Sequence, residues 1–175
     1  MSKDTDLRPG TEADLPSIET LYGSAFPEED LVPLVRQLLR AQEGVLSLLA
    51  VSGDDIVGHV IFTRCTAEPG GHTLALLGPL CSARSVRKQG IGSRLVRAGL
   101  ERLEAWQVVQ VLVLGDPEYY GRFGFLPRCP IAPPYEIPEG WATAWQFLNL
   151  DGSKAPGTGR LVVPPPWQER TLWVD

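Results

Sequence analysis

The chain has 175 residues, a hydrophobic fraction of 43% and a formal net charge of −5 at pH 7. This length suits one domain with a sizeable core, and the absence of a basic stripe argues against a nucleic-acid-binding protein. No run of about 18 apolar residues is present and the N-terminal residues lack the apolar stretch of a signal peptide, so we expect neither a membrane span nor export.

Two helices are predicted ahead of the first strand. Thr11 and Asp14 have the spacing of a capping box, and Asp14–Ala25 carries apolar residues on one helical face. Pro27 ends this helix because proline cannot continue it. The apolar residues of Glu28–Ala41 also recur at helical spacing, which predicts a second helix.

Three strands are predicted next. Val45–Val51 and Ile56–Arg64 are rich in β-branched and apolar residues, and the sequence SGDD between them is a turn signal. These two segments therefore predict a hairpin. Thr73–Leu80 follows another turn and has the apolar composition of a buried strand.

The longest predicted helix is Gly90–Trp106, which has apolar residues on one face and mostly charged residues on the other. Val108–Leu114 is an almost uninterrupted apolar run, as expected of a strand that is covered on both faces. A strand, a helix and a second strand of these lengths predict a right-handed crossover between parallel neighbours.

The composition changes from Pro127 onward. Nine of the 16 prolines and four of the five tryptophans lie in residues 127–175. The prolines argue against long helices, whereas the tryptophans argue against disorder because such large apolar surfaces need burial. We therefore predict an ordered, irregular Pro/Trp-rich C-terminal extension with one or two strands, at Trp145–Leu150 and Gly159–Val163.

The most informative stretch is RKQGIGS, the glycine segment Arg87–Ser93, which lies between a buried strand and the longest helix. Gly90 and Gly92 leave backbone N–H groups exposed at the positive end of the helix dipole, where a phosphate group can bind. A Walker A loop would need GK[ST] after four intervening residues, and the dinucleotide fingerprint needs a third glycine where Leu95 stands. The alternative is that the glycines form only a tight turn.

Two motifs resemble those of a known family. The pattern R-x-x-G-x-G, at Arg87, Gly90 and Gly92, resembles the acetyl-CoA pyrophosphate motif of the GNAT acetyltransferases. The segment GDPEYYGRFGF, Gly115–Phe125, resembles their second signature, an aromatic–Tyr pair followed three residues later by Gly-Phe. With IVGHVIFT and LGPL ahead of the glycines, the chain is most similar to the YhbS-like branch of predicted N-acetyltransferases, over roughly residues 7–126.

The resemblance implies an α/β fold in which a mixed, splayed β-sheet is flanked by helices. It implies one acyl-CoA N-acyltransferase domain over residues 1–175, with a core of about 7–126 and the extension at about 127–175. Acetyl-CoA would lie in the gap between the strand that ends near Ser82 and the strand Val108–Leu114. The positions that match the family's cofactor-binding residues are Leu80, Cys81, Ser82, Arg87, Lys88, Gln89, Gly90, Ile91, Gly92 and Ser93. Ser82 and Ala83 depart from the apolar, β-branched pair that is common there.

The implied reaction is transfer of an acetyl group from acetyl-CoA to an amine by direct attack in a ternary complex. Tyr120 matches the tyrosine of the aromatic–Tyr pair and is the implied proton donor to the CoA thiolate. A backbone N–H near Cys81 is the expected oxyanion donor, whereas the Cys81 thiol has no activating neighbour in the sequence and is not an expected nucleophile. Glu28, Glu29 and His72 are candidate general bases, and a water chain without a single base is equally compatible.

The acceptor amine is open at this stage. Phe26–Asp30 and the extension are the expected specificity elements, and a peptide N-terminus, a lysine, a polyamine, an antibiotic and a small metabolite are all candidates. A non-catalytic acyl-CoA-binding or sensor module is the alternative function. A nucleotide-binding protein is disfavoured by the missing lysine and third glycine.

The three cysteines are odd in number and far apart, which argues against a disulfide framework and favours a reducing cytoplasm. Only two histidines are present and no CxxC pair occurs, so we expect no dedicated metal site. Dimers are common among the proteins that this chain resembles, and a homodimer is therefore one expected state.

Overall fold

The computed structural model describes residues 4–41, 43–150 and 158–174. The helices are α1 (Leu15–Ala25), α2 (Val32–Ala41), α3 (Ile91–Arg102), α4 (Pro117–Gly121) and α5 (Thr171–Val174). The strands are β1 (Thr5–Pro9), β2 (Val45–Ser52), β3 (Asp55–Glu68), β4 (Thr73–Ser82), β5 (Gln110–Leu114), β6 (Leu126–Pro127), β7 (Ile131–Ala132), β8 (Trp145–Asn149) and β9 (Gly159–Val162). Short 3-10 turns cover Glu12–Asp14, Arg84–Val86, Leu103–Trp106, Glu139–Trp141 and Pro165–Trp167.

The strands form an open, mostly antiparallel sheet. The pairs β1–β2, β3–β9, β5–β8 and β6–β8 are antiparallel, whereas β4 and β5 are parallel, as the sequence predicts. The β4–β5 ladder covers only Leu74–Leu76 with Gln110–Leu112, although β4 runs on to Ser82 and β5 to Leu114. The expected mixed, splayed sheet flanked by helices is therefore confirmed.

The packing divides the chain into two compact units. Unit 1 contains the residues up to Phe62 together with Gly78–Arg102, and unit 2 contains Thr63–Leu77 together with the residues from Leu103 onward. Each unit is therefore built from two stretches of chain, because β3 and β4 each contribute one part to unit 1 and another to unit 2. The described helices are too short or too polar to cross a bilayer.

In unit 1 the two faces of β3 carry different helices, because successive side chains of a strand point to opposite faces. Gly58 lies against α3, where a Cβ atom would be 2.8 Å from Ile91 Cγ2. The next residue, His59, contacts Tyr22 of α1 through a hydrogen bond of 2.9 Å. One face of β3 therefore packs against α3 and the other face packs against α1.

In unit 2 the C-terminal strands complete the sheet. β8 pairs along the whole of β5, and β9 pairs with the end of β3. Trp145, Trp167 and Trp173 are buried together, and each indole N–H donates to an oxygen: those of Ile131, Thr63 and Trp167 respectively. The burial predicted from the tryptophan content is thus confirmed for these three.

Several predicted bounds are wrong by a few residues. α2 begins at Val32 rather than at Glu28, because Pro33 lacks an N–H and fits only the first turn of a helix. α3 begins at Ile91 and ends at Arg102, and a 3-10 turn continues to Trp106. β5 begins at Gln110 rather than at Val108.

The extension holds more strands than the one or two predicted. The strands at Trp145–Asn149 and Gly159–Val162 are confirmed, and β7 adds a two-residue strand that pairs with β9. Its only described helix, Thr171–Val174, is short, as the proline content predicts. Residues 151–157 and 175 of the predicted extension lie outside the described residues.

We predict that Gly99→Ala destabilises the protein by about 1–3 kcal/mol, because overpacking a dense core has about that cost. A Cβ atom at Gly99 would overlap the ring of Phe62, and the Phe62 ring is fully buried. Gly23→Ala is the matched control, since this helical glycine has nothing within 4 Å of a built Cβ atom. Urea unfolding of both variants checks the prediction, and equal stabilisation by both changes would contradict it.

Candidate functional site

The glycine segment turns from β4 into α3 through two left-handed residues. The N–H of Ala83 donates to the Val57 carbonyl at 2.8 Å and so marks the end of β4. After the 3-10 turn at Arg84–Val86, Lys88 has φ 65° and Gly90 has φ 80°. Glycine adopts this conformation at no steric cost, whereas at Lys88 it costs free energy. The sequence therefore specifies a sharp turn immediately before the helix.

The first backbone N–H groups of α3 have no protein acceptor. The first bond of the helix runs from the N–H of Arg94 to the carbonyl of Gly90, at 3.0 Å. The N–H groups of Gly90, Ile91, Gly92 and Ser93 have no acceptor among the described residues. These unpaired donors and the positive end of the helix dipole favour an anion such as a phosphate group.

Exposed basic residues precede these amides in the chain. Arg84, Arg87 and Lys88 are all exposed, and Nη2 of Arg87 lies 3.5 Å from the carbonyl oxygen of Ala25 at the end of α1. The side chain of Gln89 instead donates to the Ser85 carbonyl at 3.4 Å, within the same turn. The positive charge of the site therefore comes from arginine and lysine, whereas Gln89 holds the turn itself.

The end of β4 has one open backbone edge. Its ladder with β5 stops at Leu76, and beyond that point the described residues of β4 have only β3 as a neighbouring strand. Gly78 has φ 142° and Pro79 carries no N–H, so regular pairing is interrupted there. Leu80 and Ser82 are partly exposed, and Cys81 between them is buried.

Cys81 is a neutral thiol. Burial raises its pKa to about 12, and the charge of Arg87 offsets this shift only in part. Because the thiolate is the nucleophilic form of cysteine, a thiol with such a pKa is inert near neutral pH. The structure therefore agrees with the expectation that Cys81 does not carry the acyl group.

The connection between α1 and α2 forms an acidic cleft, the α1–α2 cleft. It has two adjoining parts of about 250 Å³ and 330 Å³. Glu28 and Glu29 line both parts and Asp30 lines the first, whereas Arg84 lines the second. Arg84 belongs to the 3-10 turn just ahead of the glycine segment, and both lie in unit 1 with the cleft. The remaining lining residues are Tyr22, Gly23, Ala25, Phe26, Pro27 and Val32.

Tyr120 lies in unit 2, on α4. Asp116 caps this helix by accepting a hydrogen bond from the N–H of Glu118 at 3.0 Å, and Pro117 occupies its first turn. Burial, with smaller contributions from Tyr119 and Asp116, raises the pKa of Tyr120 above its usual value. Its hydroxyl group therefore stays protonated at neutral pH.

The predicted site residues thus fall into two groups. The ten predicted cofactor-binding residues, Leu80–Ser82 and Arg87–Ser93, all lie in unit 1, whereas Tyr120 lies in unit 2. Of the candidate bases, Glu28 and Glu29 are exposed in unit 1 and His72 is exposed in unit 2. Within the described ranges, no group of three or more His, Cys, Asp or Glu side chains could hold a metal ion.

Comparison with known proteins identifies the family. The family model described as "Acetyltransferase (GNAT) family" matches residues 15–125. The chain belongs to the GNAT acetyltransferase family. It is 33% identical over 154 residues to YjhQ of Escherichia coli (strain K12), which is named as an uncharacterized N-acetyltransferase. The aligned residues are 85% of this chain and 84% of YjhQ.

The resemblance to the YhbS-like branch is also confirmed. YhbS of E. coli K12, likewise named an uncharacterized N-acetyltransferase, is 34% identical over 117 residues, which are 64% of this chain and 68% of YhbS. The crystal structure of E. coli YhbS in complex with CoA matches with a TM-score of 0.82 and 24% identity, over 97% and 94% of the two chains. A GNAT acetyltransferase from Brucella melitensis in complex with acetyl-CoA matches with a TM-score of 0.76 and 22% identity, over 94% and 99%. At these identities the two structures show a shared fold.

A buried polar chain in unit 1 of this GNAT protein is not evident from the sequence. His59 is fully buried in β3, and both of its ring nitrogens are hydrogen-bonded. Nδ1 lies 2.9 Å from the Tyr22 hydroxyl group of α1, and Nε2 lies 2.7 Å from Oγ of Ser47 in β2. The three residues are far apart in sequence, so no local pattern could have predicted the contact.

The protonation states in this chain follow from burial. Burial, and to a smaller extent Cys81, raises the pKa of Tyr22 well above its usual value, so the phenol is protonated. Burial lowers the pKa of His59 to about 3, so its ring is neutral and one ring nitrogen donates while the other accepts. The chain of Tyr22, His59 and Ser47 therefore connects α1 to the sheet through uncharged groups.

We predict that His59 makes the protein less stable in mild acid. Its pKa falls from about 6.5 in the unfolded chain to about 3 in the folded one, so the stability is fully present above pH 6.5 and is lost as the pH falls towards 3. Between pH 7 and pH 5 this group alone accounts for about 2 kcal/mol. Urea unfolding of wild type and His59→Gln at both pH values checks this, and an equal loss of stability in both proteins would contradict it.

Proposed function

We propose that this GNAT protein is an N-acetyltransferase that uses acetyl-CoA as co-substrate and transfers the acetyl group to an amine by direct attack in a ternary complex. The observation that carries this proposal is the row of unpaired N–H groups at Gly90–Ser93, which follow two left-handed residues and lie beside exposed basic side chains. The whole of residues 1–175 is proposed to act as one acyltransferase domain. The thiols of Cys65, Cys81 and Cys129 are free, which fits the cytoplasm as its proposed compartment.

The proposed cofactor contacts are mainly backbone ones. The amides of the glycine segment would bind the pyrophosphate, with Arg87 and Lys88 neutralising its charge. The open edge of β4 at Leu80–Ser82 would pair with the amide groups of the pantetheine arm, as an added strand pairs with a sheet edge. CoA and acetyl-CoA are the ligands in the structures of the YhbS and Brucella relatives, and this supports the same choice here.

The α1–α2 cleft is the proposed acceptor site. Its acidic side chains, Glu28, Glu29 and Asp30, favour an amine that carries positive charge, and Tyr22 and Phe26 add apolar surface for its carbon chain. Arg84 lines the cleft and precedes the glycine segment by one short turn, so one unit provides both the proposed pyrophosphate site and the proposed acceptor site. Glu28, Glu29, His72 and bulk water remain the candidates for removing the proton from the amine.

Tyr120 is the proposed proton donor to the departing CoA thiolate. As the neutral amine forms its bond to the thioester carbon, a backbone N–H near Cys81 stabilises the oxyanion, and the C–S bond then breaks. Burial raises the pKa of Tyr120, which makes the phenol a weaker acid. Burial also raises the pKa of the Cys65, Cys81 and Cys129 thiols, each to about 12. Desolvation would make a CoA thiolate a stronger base in the same direction.

We predict that Gly90→Asp weakens acetyl-CoA binding at least about 100-fold, or about 2.7 kcal/mol, because it places a carboxylate among the anion-binding amides. Isothermal calorimetry with acetyl-CoA measures this. Gly53→Asp is the matched control, because Gly53 has φ 62°, like Gly90 at φ 80°, and nothing lies within 4 Å of a Cβ atom at either position. Wild-type protein that fails to bind acetyl-CoA, or equal loss in both variants, would overturn the assigned site.

We predict that Tyr120→Phe lowers kcat about 100-fold, the usual contribution of a general acid, and leaves the acetyl-CoA Kd within about twofold. Release of CoA thiol is measured with spermidine, with a lysine peptide and with a peptide that has a free N-terminus. Tyr119→Phe is the matched control, because it keeps the ring beneath the Arg122 guanidinium, 4.5 Å from the ring centroid. A kcat unchanged in Tyr120→Phe would remove Tyr120 from the chemistry.

The same thiol-release assay distinguishes the enzyme from the alternative function, a non-catalytic acyl-CoA-binding or sensor module. Tight acetyl-CoA binding together with no thiol release, for any amine in a broad screen, would indicate a non-catalytic acyl-CoA-binding module. The intact tyrosine and the unbroken glycine segment favour the enzyme, because a module that only binds acyl-CoA has no need of a buried, protonated phenol.

A further inference from the structure

The ring of Tyr120 lies directly on the backbone of Gly115. A Cβ atom built on Gly115 would be 2.5 Å from Cε2 of Tyr120 and 3.1 Å from Cδ2, closer than a carbon–carbon contact allows. Any side chain at this position would therefore displace the phenol ring. Gly115 lies between the end of β5 and the N-cap of α4, Asp116.

Glycine is not needed here for its backbone conformation. The φ angle of Gly115 lies outside the left-handed region, in contrast to Gly124, which has φ 97°. A left-handed φ, the usual reason for a glycine, is therefore absent at Gly115. Contact with the Tyr120 ring is therefore what excludes a side chain at Gly115.

The Gly115 backbone is held from β8. Its N–H donates to the Ala144 carbonyl at 2.9 Å, and its carbonyl oxygen accepts from Nε2 of Gln146 at 3.0 Å. Gln146 is fully buried, and its Nε2 also lies 3.3 Å from the Ala144 carbonyl oxygen. Two carbonyl oxygens thus fix the orientation of the amide, even though its own Oε1 is left buried without a partner among the described residues.

Aromatic side chains restrict the ring of Tyr120 on other sides. Tyr119 makes an edge contact with it at 5.0 Å between ring centroids, and Phe125 makes another at 5.8 Å. Phe123 lies at 6.3 Å. The ring of Tyr120 is thus held by aromatic side chains in addition to the Gly115 backbone.

We propose that Gly115 and Gln146 are positioning residues for Tyr120: the bare Cα of Gly115 provides the surface on which the phenol ring rests, and Gln146 holds that surface in place. This inference rests on the proposed function, in which the Tyr120 hydroxyl group acts on the thiolate. It adds two residues to the reaction that touch neither substrate. Their effect on turnover passes entirely through the position of the Tyr120 oxygen.

The test is a double-mutant cycle on kcat, measured as thiol release with the amine that gives the fastest turnover. Gly115→Ala is expected to lower kcat about 10- to 100-fold, since a displacement of about 1 Å has that effect, with the KM for acetyl-CoA within about twofold. Gln146→Met removes the side-chain donor to Gly115 and keeps a similar side-chain volume. It is also expected to lower kcat. In the Tyr120→Phe background neither change is expected to lower kcat further.

Gly121→Ala is the matched control. Gly121 lies on the same helix as Tyr120, has no atom within 4 Å of a built Cβ, and also has φ outside the left-handed region. It is expected to keep the wild-type kcat. Full additivity of Gly115→Ala with Tyr120→Phe would overturn the inference, and so would a wild-type kcat in Gly115→Ala.

A second measurement needs no acceptor. The chain has four tyrosines, so the Tyr120 resonance of isotope-labelled protein is assigned by its loss in Tyr120→Phe. Gly115→Ala is expected to move this resonance and Gly121→Ala to leave it in place; an unmoved resonance in Gly115→Ala would overturn the inference. If Tyr120→Phe keeps full activity while the resonance moves as expected, the proposed chemical role of Tyr120 fails and its contact with Gly115 stands.

Discussion

The site depends on the early end of the pairing between β4 and β5. The ladder of β4 with β5 covers Leu74–Leu76 only, although β4 continues to Ser82. Gly78 and Pro79 follow at once, the first with a left-handed φ and the second without an N–H, and both disfavour continued pairing. Buried backbone polar groups need partners, so an open strand edge is stable only where solvent or a ligand can bind to it. The same sequence feature that shortens the sheet thus creates the surface on which a pantetheine arm can lie.

The two ligands of the proposed reaction meet different kinds of protein surface. The proposed cofactor side uses mainly backbone amides, which are the same for every side chain, so the departure at Ser82 and Ala83 alters it little. Arg87 and Lys88 add charge there, and Lys88 and Gly90 are restricted by their left-handed φ. The proposed acceptor side is instead lined by side chains of the α1–α2 cleft, where each substitution changes charge or shape. If both proposals hold, substitutions in the cleft would change the acceptor and leave acetyl-CoA binding intact.

Local signals predicted most of the elements and the cofactor loop. The glycine segment, the amphipathic α3 and the apolar β5 each depend on residues close together in sequence, and all three are found as predicted except for their ends. The start of α2 at Val32 could also have been predicted from the sequence. Proline fits only the first turn of a helix, so Pro33 places the helix start at about Val32. What the sequence could not show are contacts between distant residues: β8 along β5, and His59 with its partners Tyr22 and Ser47.

Gly115 shows why a motif can be recognised and still be understood only in part. In sequence it reads as the first residue of a turn, GDP, and turn glycines are ordinarily explained by their backbone conformation. In the structure its φ angle needs no glycine, and the constraint comes instead from a ring five residues further along the chain. Gln146, which is distant in sequence, also restrains Gly115. Its Nε2 donates to the Gly115 carbonyl, while its Oε1 is buried without a partner among the described residues. An unpaired buried acceptor costs about 1–3 kcal/mol, and such a cost is commonly found where function, rather than stability, restricts a residue.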